Sequence, residues 1–129
     1  MAKILVAEDN PSSRELFYEL LTGWGHEVME AADGESALRM AAETRPDLVL
    51  LDIQMPLMDG YAVLRKLRQE PGLGGIPVMA LTAFAMQGDR EKTLAAGFDG
   101  YHSKPINSKV LRKNIESLLN RLNATGGQR

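Results

Sequence analysis

Hydrophobic residues in this chain follow two alternating rhythms. Short apolar runs, "KILVA" at 3–7, "EVMEA" at 27–31, "DLVLL" at 47–51, "IPVMALT" at 76–82 and a brief "DGYHS" at 99–103, alternate with segments in which apolar residues recur every three or four positions. The runs predict strands and the longer-period segments predict helices. Leu16, Phe17, Leu20 and Leu21 form the first helical stripe, which ends near Gly23 and Gly25. Ala37, Leu38, Ala41 and Ala42 form the second, with Asp33 placed to cap it. The last stripe, Leu111, Ile115, Leu118, Leu119 and Leu122, follows Asn107 as its cap.

Five strand–helix pairs in strict alternation imply right-handed crossovers, a parallel sheet and helices on both of its faces, an α/β architecture. The unbroken apolar runs at 4–7 and 48–51 fit strands covered on both sides, because a half-exposed strand would alternate. At 129 residues the chain fits one domain, expected over 1–123, followed by a flexible tail at 124–129.

Charge and composition narrow the function by exclusion. A formal net charge of −2 gives no electrostatic reason to expect nucleic acid or an anionic membrane as a direct partner. The absence of cysteine rules out disulfides, thiolate metal sites and cysteine nucleophiles. No apolar run reaches the length of a bilayer span or a signal peptide, so a cytoplasmic location is expected.

The candidate chemistry lies where strands end. In an open α/β sheet, ligands bind in the crevice outside the carboxyl ends of the strands. Glu8 and Asp9 follow the first strand, Asp52 ends the third, Thr82 and Ala83 close the fourth, and Lys104 and Pro105 follow the fifth. Singly these residues mean little: Asp9 or Asn10 can cap a helix, Thr82 is a common strand residue, and Lys104 a common solvated one. A carboxylate beside a buried strand, as at Asp52, needs water or a partner. Together, three gathered carboxylates call for a hard cation, and a lysine and a hydroxyl opposite could hold the other oxygens of a phosphoryl group. With a carboxylate as nucleophile, the product is an aspartyl phosphate.

The stretches "VAEDN" (6–10), "LVLLDIQMPLMDG" (48–60), "ALTA" (80–83) and "YHSKPI" (101–106) resemble, in order and spacing, the receiver domain of two-component response regulators. The resemblance covers essentially the whole chain. It implies a flavodoxin-like, doubly wound (βα)5 three-layer sandwich with a parallel five-stranded sheet in the order 2-1-3-4-5. It implies Asp52 as phosphoacceptor, with Asp9, Asp52 and the backbone carbonyl of Gln54 as direct Mg²⁺ ligands, Mn²⁺ being a substitute, and Glu8 acting through a metal-bound water. Thr82 and Lys104 match the switch hydroxyl and the phosphate-binding lysine, Tyr101 the switch aromatic, and Lys104–Pro105 a cis peptide.

The same resemblance implies a signalling switch and no enzyme beyond self-catalysed phosphorylation and dephosphorylation. The phosphoryl donor is implied to be a sensor histidine kinase or a histidine phosphotransfer protein, and a downstream protein reads the face at 84–122. A monomer that dimerises on phosphorylation fits the pattern. The side chains of Gln54 and Phe84 stand at positions that would tune phosphate lifetime. The run at 80–97 also looks like receivers attached to hybrid kinases, whereas Met1 just before the first strand suggests a free-standing protein.

Three rivals are weaker. A haloacid-dehalogenase-type phosphatase needs a second acid where Gln54 stands, and a flavin carrier needs a hydroxyl- and glycine-rich loop where "EDNPSS" (8–13) places acids. A receiver-like interaction module that is never phosphorylated would be expected to lack the acids that are present here.

Overall fold

Each strand is short, and the first, third and fourth are nearly all apolar. β1 spans Lys3–Ala7, β2 Glu27–Ala31, β3 Leu48–Asp52, β4 Val78–Thr82 and β5 Gly100–Ser103. Between and after them lie α1 (Pro11–Gly23), α2 (Gly34–Thr44), α3 (Gly60–Gln69), α4 (Asp89–Ala95) and α5 (Ser108–Gly126). The structure, a computed structural model, describes residues 2–83 and 89–126.

All neighbouring strands pair in parallel, in the order β2-β1-β3-β4-β5, as expected of the flavodoxin-like α/β fold. Successive residues of a strand point to opposite faces, and here both faces are covered. Leu5, Ala7, Val49, Leu51, Val78 and Ala80 join Ala37 and Ala41 of α2 and Val63, Leu64 and Leu67 of α3 in one buried layer. Ile4, Val6, Leu48, Leu50, Met79 and Leu81 join Phe17 and Leu21 of α1 and Leu111, Ile115 and Leu118 of α5 in the other. This two-sided burial is the reason the segments of β1, β3 and β4 read as continuous apolar runs.

α1, α2, α3 and α5 begin where short polar side chains can satisfy their free N–H groups. Asn10 accepts from the N–H groups of Ser12 and Ser13, Asp33 from Ser36, Asp59 from Ala62 and Asn107 from Val110. At the amino ends of β4 and β5, Arg68 of α3 binds the Ile76 carbonyl at 2.6 Å and the Asp99 carboxylate at 2.9 Å. Asp99 in turn accepts from the Val78 N–H at 2.8 Å, so one guanidinium fastens the edge of the sheet farthest from the strand ends that carry the acids.

Asp52 is the last residue of β3, paired with Leu81 of β4, so the strand ends on the acid as the sequence reading has it. One boundary differs from that reading. The backbone of α5 continues to Gly126, making 124–126 helical where a loose tail was expected, since no helix-breaking residue interrupts the chain before Gly126.

Candidate functional site

The connection from β1 leads outward to β2, and the next one returns past β1 to β3, so the chain reverses direction between β1 and β3. Such a reversal opens a crevice at the carboxyl ends of the strands, because the two flanking loops leave in opposite directions. Glu8 follows β1 and Asp52 ends β3, one on each side of that crevice.

The acids occupy different environments. Glu8 is fully buried and Asp52 is 4% exposed, whereas Asp9 is exposed. Carboxylate oxygens of all three lie within 4.8 Å of one another. Lys104, carried in from beyond β5, donates from Nζ to Glu8 Oε1 and, at 3.3 Å, to Asp52 Oδ2. The other Asp52 oxygen accepts from the Gln54 N–H at 2.9 Å. The Lys104 N–H donates to the carbonyl of Thr82 at 2.7 Å, which pins the lysine backbone to the end of β4, and the Lys104–Pro105 peptide is cis.

Electrostatics follow from this crowding. Burial, reinforced by the neighbouring Asp52, pushes the Glu8 carboxyl up to about 7, with Lys104 pulling the other way. Burial also works against the charge on Lys104, but its hydrogen bond to Glu8 and the charges of Asp52 and Glu8 prevail and raise its pKa. One ammonium among three acids leaves the cluster with an excess of negative charge. Hard oxygen donors this close together fit a small divalent cation, which would relieve that excess.

The remaining sequence candidates fall around this centre. Thr82 is buried at the end of β4, and the half-buried Tyr101 packs against the layer built on α2 and α3. Gln54 is exposed, two residues beyond Asp52. Phe84 lies outside the described residues. Tyr101 also borders a cleft of about 340 Å³ between α4 and α5, lined with Arg90, Asn114 and Ser117.

Sequence reasoning missed three supports of the site. The Gly60 N–H donates to the Ile53 carbonyl at 2.8 Å, closing the loop that follows Asp52. A Cβ on Gly60 would stand 2.7 Å from Ile53 Cα and 2.8 Å from the Asp52 carbonyl oxygen, so only glycine fits. The Arg14 guanidinium donates to the Glu8 carbonyl at 2.8 Å and fixes the β1–α1 loop. Tyr61, next to Gly60, reaches the fully buried Thr93 of α4 with its hydroxyl at 3.2 Å. The glycine after Asp59 was the one visible signal of these; the others join segments whose proximity no local pattern encodes.

Comparison with known proteins gives one consistent picture. The family model "Response regulator receiver domain" matches residues 4–116. The polar-differentiation response regulator DivK of Brucella anthropi is 40% identical over 116 residues, covering 90% of this chain and 94% of the relative. Among solved structures, the receiver domain of a sensor histidine kinase from Pseudomonas aeruginosa, with magnesium coordinated in its active site cleft, is 36% identical with a TM-score of 0.85, covering 92% of this chain and 98% of that one. The Vibrio cholerae chemotaxis protein CheY4 is 31% identical, also with a TM-score of 0.85 and the same shares covered.

Proposed function

Because the chain belongs to the response regulator receiver domain family of two-component signalling, we propose that it is a phosphorylation-activated switch whose phosphoacceptor is Asp52. The observation that carries this reading is the Lys104 ammonium bound to both Glu8 and Asp52 beside a cluster of three carboxylates. An Asp52 oxygen attacks the phosphorus of a phosphohistidine on a sensor kinase or histidine phosphotransfer protein. The new O–P bond forms as the P–N bond breaks, and the electron pair leaves with the imidazole nitrogen, which takes up a proton.

Asp52 is held for this by its Oδ1 bond to the Gln54 N–H, which orients the carboxylate. Lys104 sits where it can follow the phosphoryl oxygens as charge builds on them. Asp9, Asp52 and the Gln54 carbonyl would hold Mg²⁺, with Glu8 acting through a water; the acid set fits such a cation, as does the magnesium reported for the Pseudomonas receiver domain. The chemistry the ion supplies when bound is neutralisation of negative charge between carboxylates and phosphoryl oxygens.

A phosphoryl group adds about −1.5 to −2 charge and strong acceptor oxygens. Thr82 and Tyr101 then move toward the site, and the face formed by α4, β5 and α5 changes for a downstream protein. Tyr101 already borders the cleft on that face, which ties the site to the partner surface. The protein acts in the cytoplasm as a monomer. Among the described residues, no helix is long and apolar enough to cross a membrane.

Intact-mass spectrometry after incubation with Mg²⁺ and acetyl phosphate tests the proposal. One added phosphoryl group, absent in Asp52→Asn and absent with EDTA, is the expected result. No adduct, together with no change in Trp24 or Tyr101 fluorescence on adding beryllofluoride and Mg²⁺, would leave a phosphate-independent binding module.

A further inference from the structure

Of the acids in the cluster, Asp9 is the one that no side chain holds. Lys104 binds Glu8 and Asp52, and the Gln54 N–H binds Asp52 as well. Asp9 is exposed, and among the described residues neither its carboxylate nor its backbone takes part in a hydrogen bond or ion pair. One of its carboxylate oxygens nevertheless lies within 4.8 Å of those of Glu8 and Asp52. Its place is therefore set through the main chain.

Glu8 and Asp9 alone separate the end of β1 from Asn10, the cap of α1. On the helix side, Asn10 is fixed by the N–H groups of Ser12 and Ser13. On the strand side, the Glu8 N–H donates to the Ala31 carbonyl at 3.0 Å, and the Glu8 carbonyl accepts from Arg14 Nη1 at 2.8 Å. That carbonyl and the Asp9 N–H belong to one planar peptide unit, so holding the oxygen also fixes the direction in which the Asp9 Cα leaves. Glu8 is fully buried, and the guanidinium satisfies its carbonyl in place of water. Without Arg14 the peptide would turn its oxygen toward solvent and carry Asp9 with it. The guanidinium is itself steadied from the neighbouring strand, its Nε standing 4.0 Å from a Glu30 carboxylate oxygen on β2.

We propose that Arg14 is a positioning residue for the divalent cation: through the Glu8–Asp9 peptide it keeps the Asp9 carboxylate in place beside Glu8 and Asp52. The proposal rests on the reading of Asp9 as a direct Mg²⁺ ligand. Mg²⁺ demands near-octahedral geometry with ligands at about 2.1 Å, so a small displacement of one carboxylate is felt in affinity. Groups that orient ligands from outside the ligand set carry about tenfold or more in metal affinity. Charge acts in the opposite sense. Arg14 is a cation beside the cluster, and its removal would by itself strengthen the attraction for a dication. The sign of the change thus separates positioning from electrostatics.

The test uses the whole chain as wild type, Arg14→Met, Arg14→Gln and Asp9→Asn, with Mg²⁺ titrated by calorimetry at constant ionic strength. Arg14 is 22% exposed on a surface helix, where methionine and glutamine are both good helix formers. Mg²⁺ binding to both Arg14 variants is expected to weaken about tenfold. In labelling by acetyl phosphate, the Mg²⁺ concentration that gives half the maximal rate should rise by the same factor, while the rate at saturating Mg²⁺ falls by less than about twofold. Damage to the fold at large would lower that saturating rate as well. Unchanged or tighter Mg²⁺ binding in both Arg14 variants overturns the inference, as does a saturating rate that falls as far as the affinity. If Asp9→Asn binds Mg²⁺ as tightly as the wild type, the reading of Asp9 as a ligand fails instead.

Discussion

Lys104 and Asp52, 52 residues apart in the chain, meet at 3.3 Å between Nζ and Oδ2, and the same ammonium also holds the buried Glu8. The lysine is thus the counter-charge of the acid cluster before any ligand arrives. In Lys104→Met the site loses both this charge and the group poised for the phosphoryl oxygens. Labelling by acetyl phosphate with Mg²⁺ should fall by about 10²-fold, measured as the rate of appearance of the phosphorylated mass. A rate within twofold of wild type would exclude the lysine from the transfer.

Binding of a divalent cation to the native acids, and not to the unfolded chain, adds stability by mass action. At tenfold excess over its dissociation constant, Mg²⁺ should contribute about 1.4 kcal/mol. Urea unfolding with and without Mg²⁺ checks this. Asp9→Asn, which removes the exposed acid of the cluster, should lose most of the increment while keeping its stability in EDTA. An equal Mg²⁺ increment in both proteins would place the cation elsewhere.

Gly60 is held between Ile53 and the Asp52 carbonyl, with no room for a methyl group. Because the obstructing atoms are backbone, Gly60→Ala must displace the loop and should destabilise the chain by about 2 kcal/mol. Gly23, the last residue of α1, has open space for 4 Å around the position a methyl group would take, and serves as control. Gly23→Ala should be neutral or slightly stabilising, and equal unfolding midpoints for the two variants would refute the packing argument.

His102 is 4% exposed, and its Nε2 has no hydrogen-bond partner. Burial holds its pKa below the ordinary 6.5, so the native chain binds fewer protons than the unfolded one. Stability from this residue is therefore complete above pH 6.5 and lost as pH falls toward the native pKa, by at most about 1.4 kcal/mol per unit. Glu8 acts oppositely: raised from 4.5 to about 7, it favours the native state as pH falls through that window. Subtracting the stability of His102→Leu from that of wild type cancels the Glu8 contribution. The difference should shrink from pH 7.5 to 5.5, whereas parallel pH curves would show that His102 does not titrate differently on folding.

Much of the fold and part of the site could be read from the chain alone. The caps at Asn10, Asp33 and Asn107 were recognisable because an Asx side chain bonds N–H groups two or three residues away, which is a local event. The convergence of Glu8, Asp9, Asp52, Thr82 and Lys104 was recognisable because parallel βαβ topology brings the carboxyl ends of all strands to one edge. The bond from Arg14 to the Glu8 carbonyl was hidden, since helical period places Arg14 on α1 but does not say which loop its side chain reaches.

The sequence by itself determined the period of each element, the class of the sheet and which residue types stand at the strand ends, because these depend on side-chain alternation and on handedness rules that act within a few tens of residues. Only the tertiary structure decided that Glu8 is buried while Asp9 is exposed, that Lys104 reaches two acids at once, that Tyr61 meets Thr93 and that His102 Nε2 lacks a partner. Those outcomes depend on distances between segments brought together by packing. Burial and charge pairing change steeply over one or two ångströms, a scale that no one-dimensional pattern records.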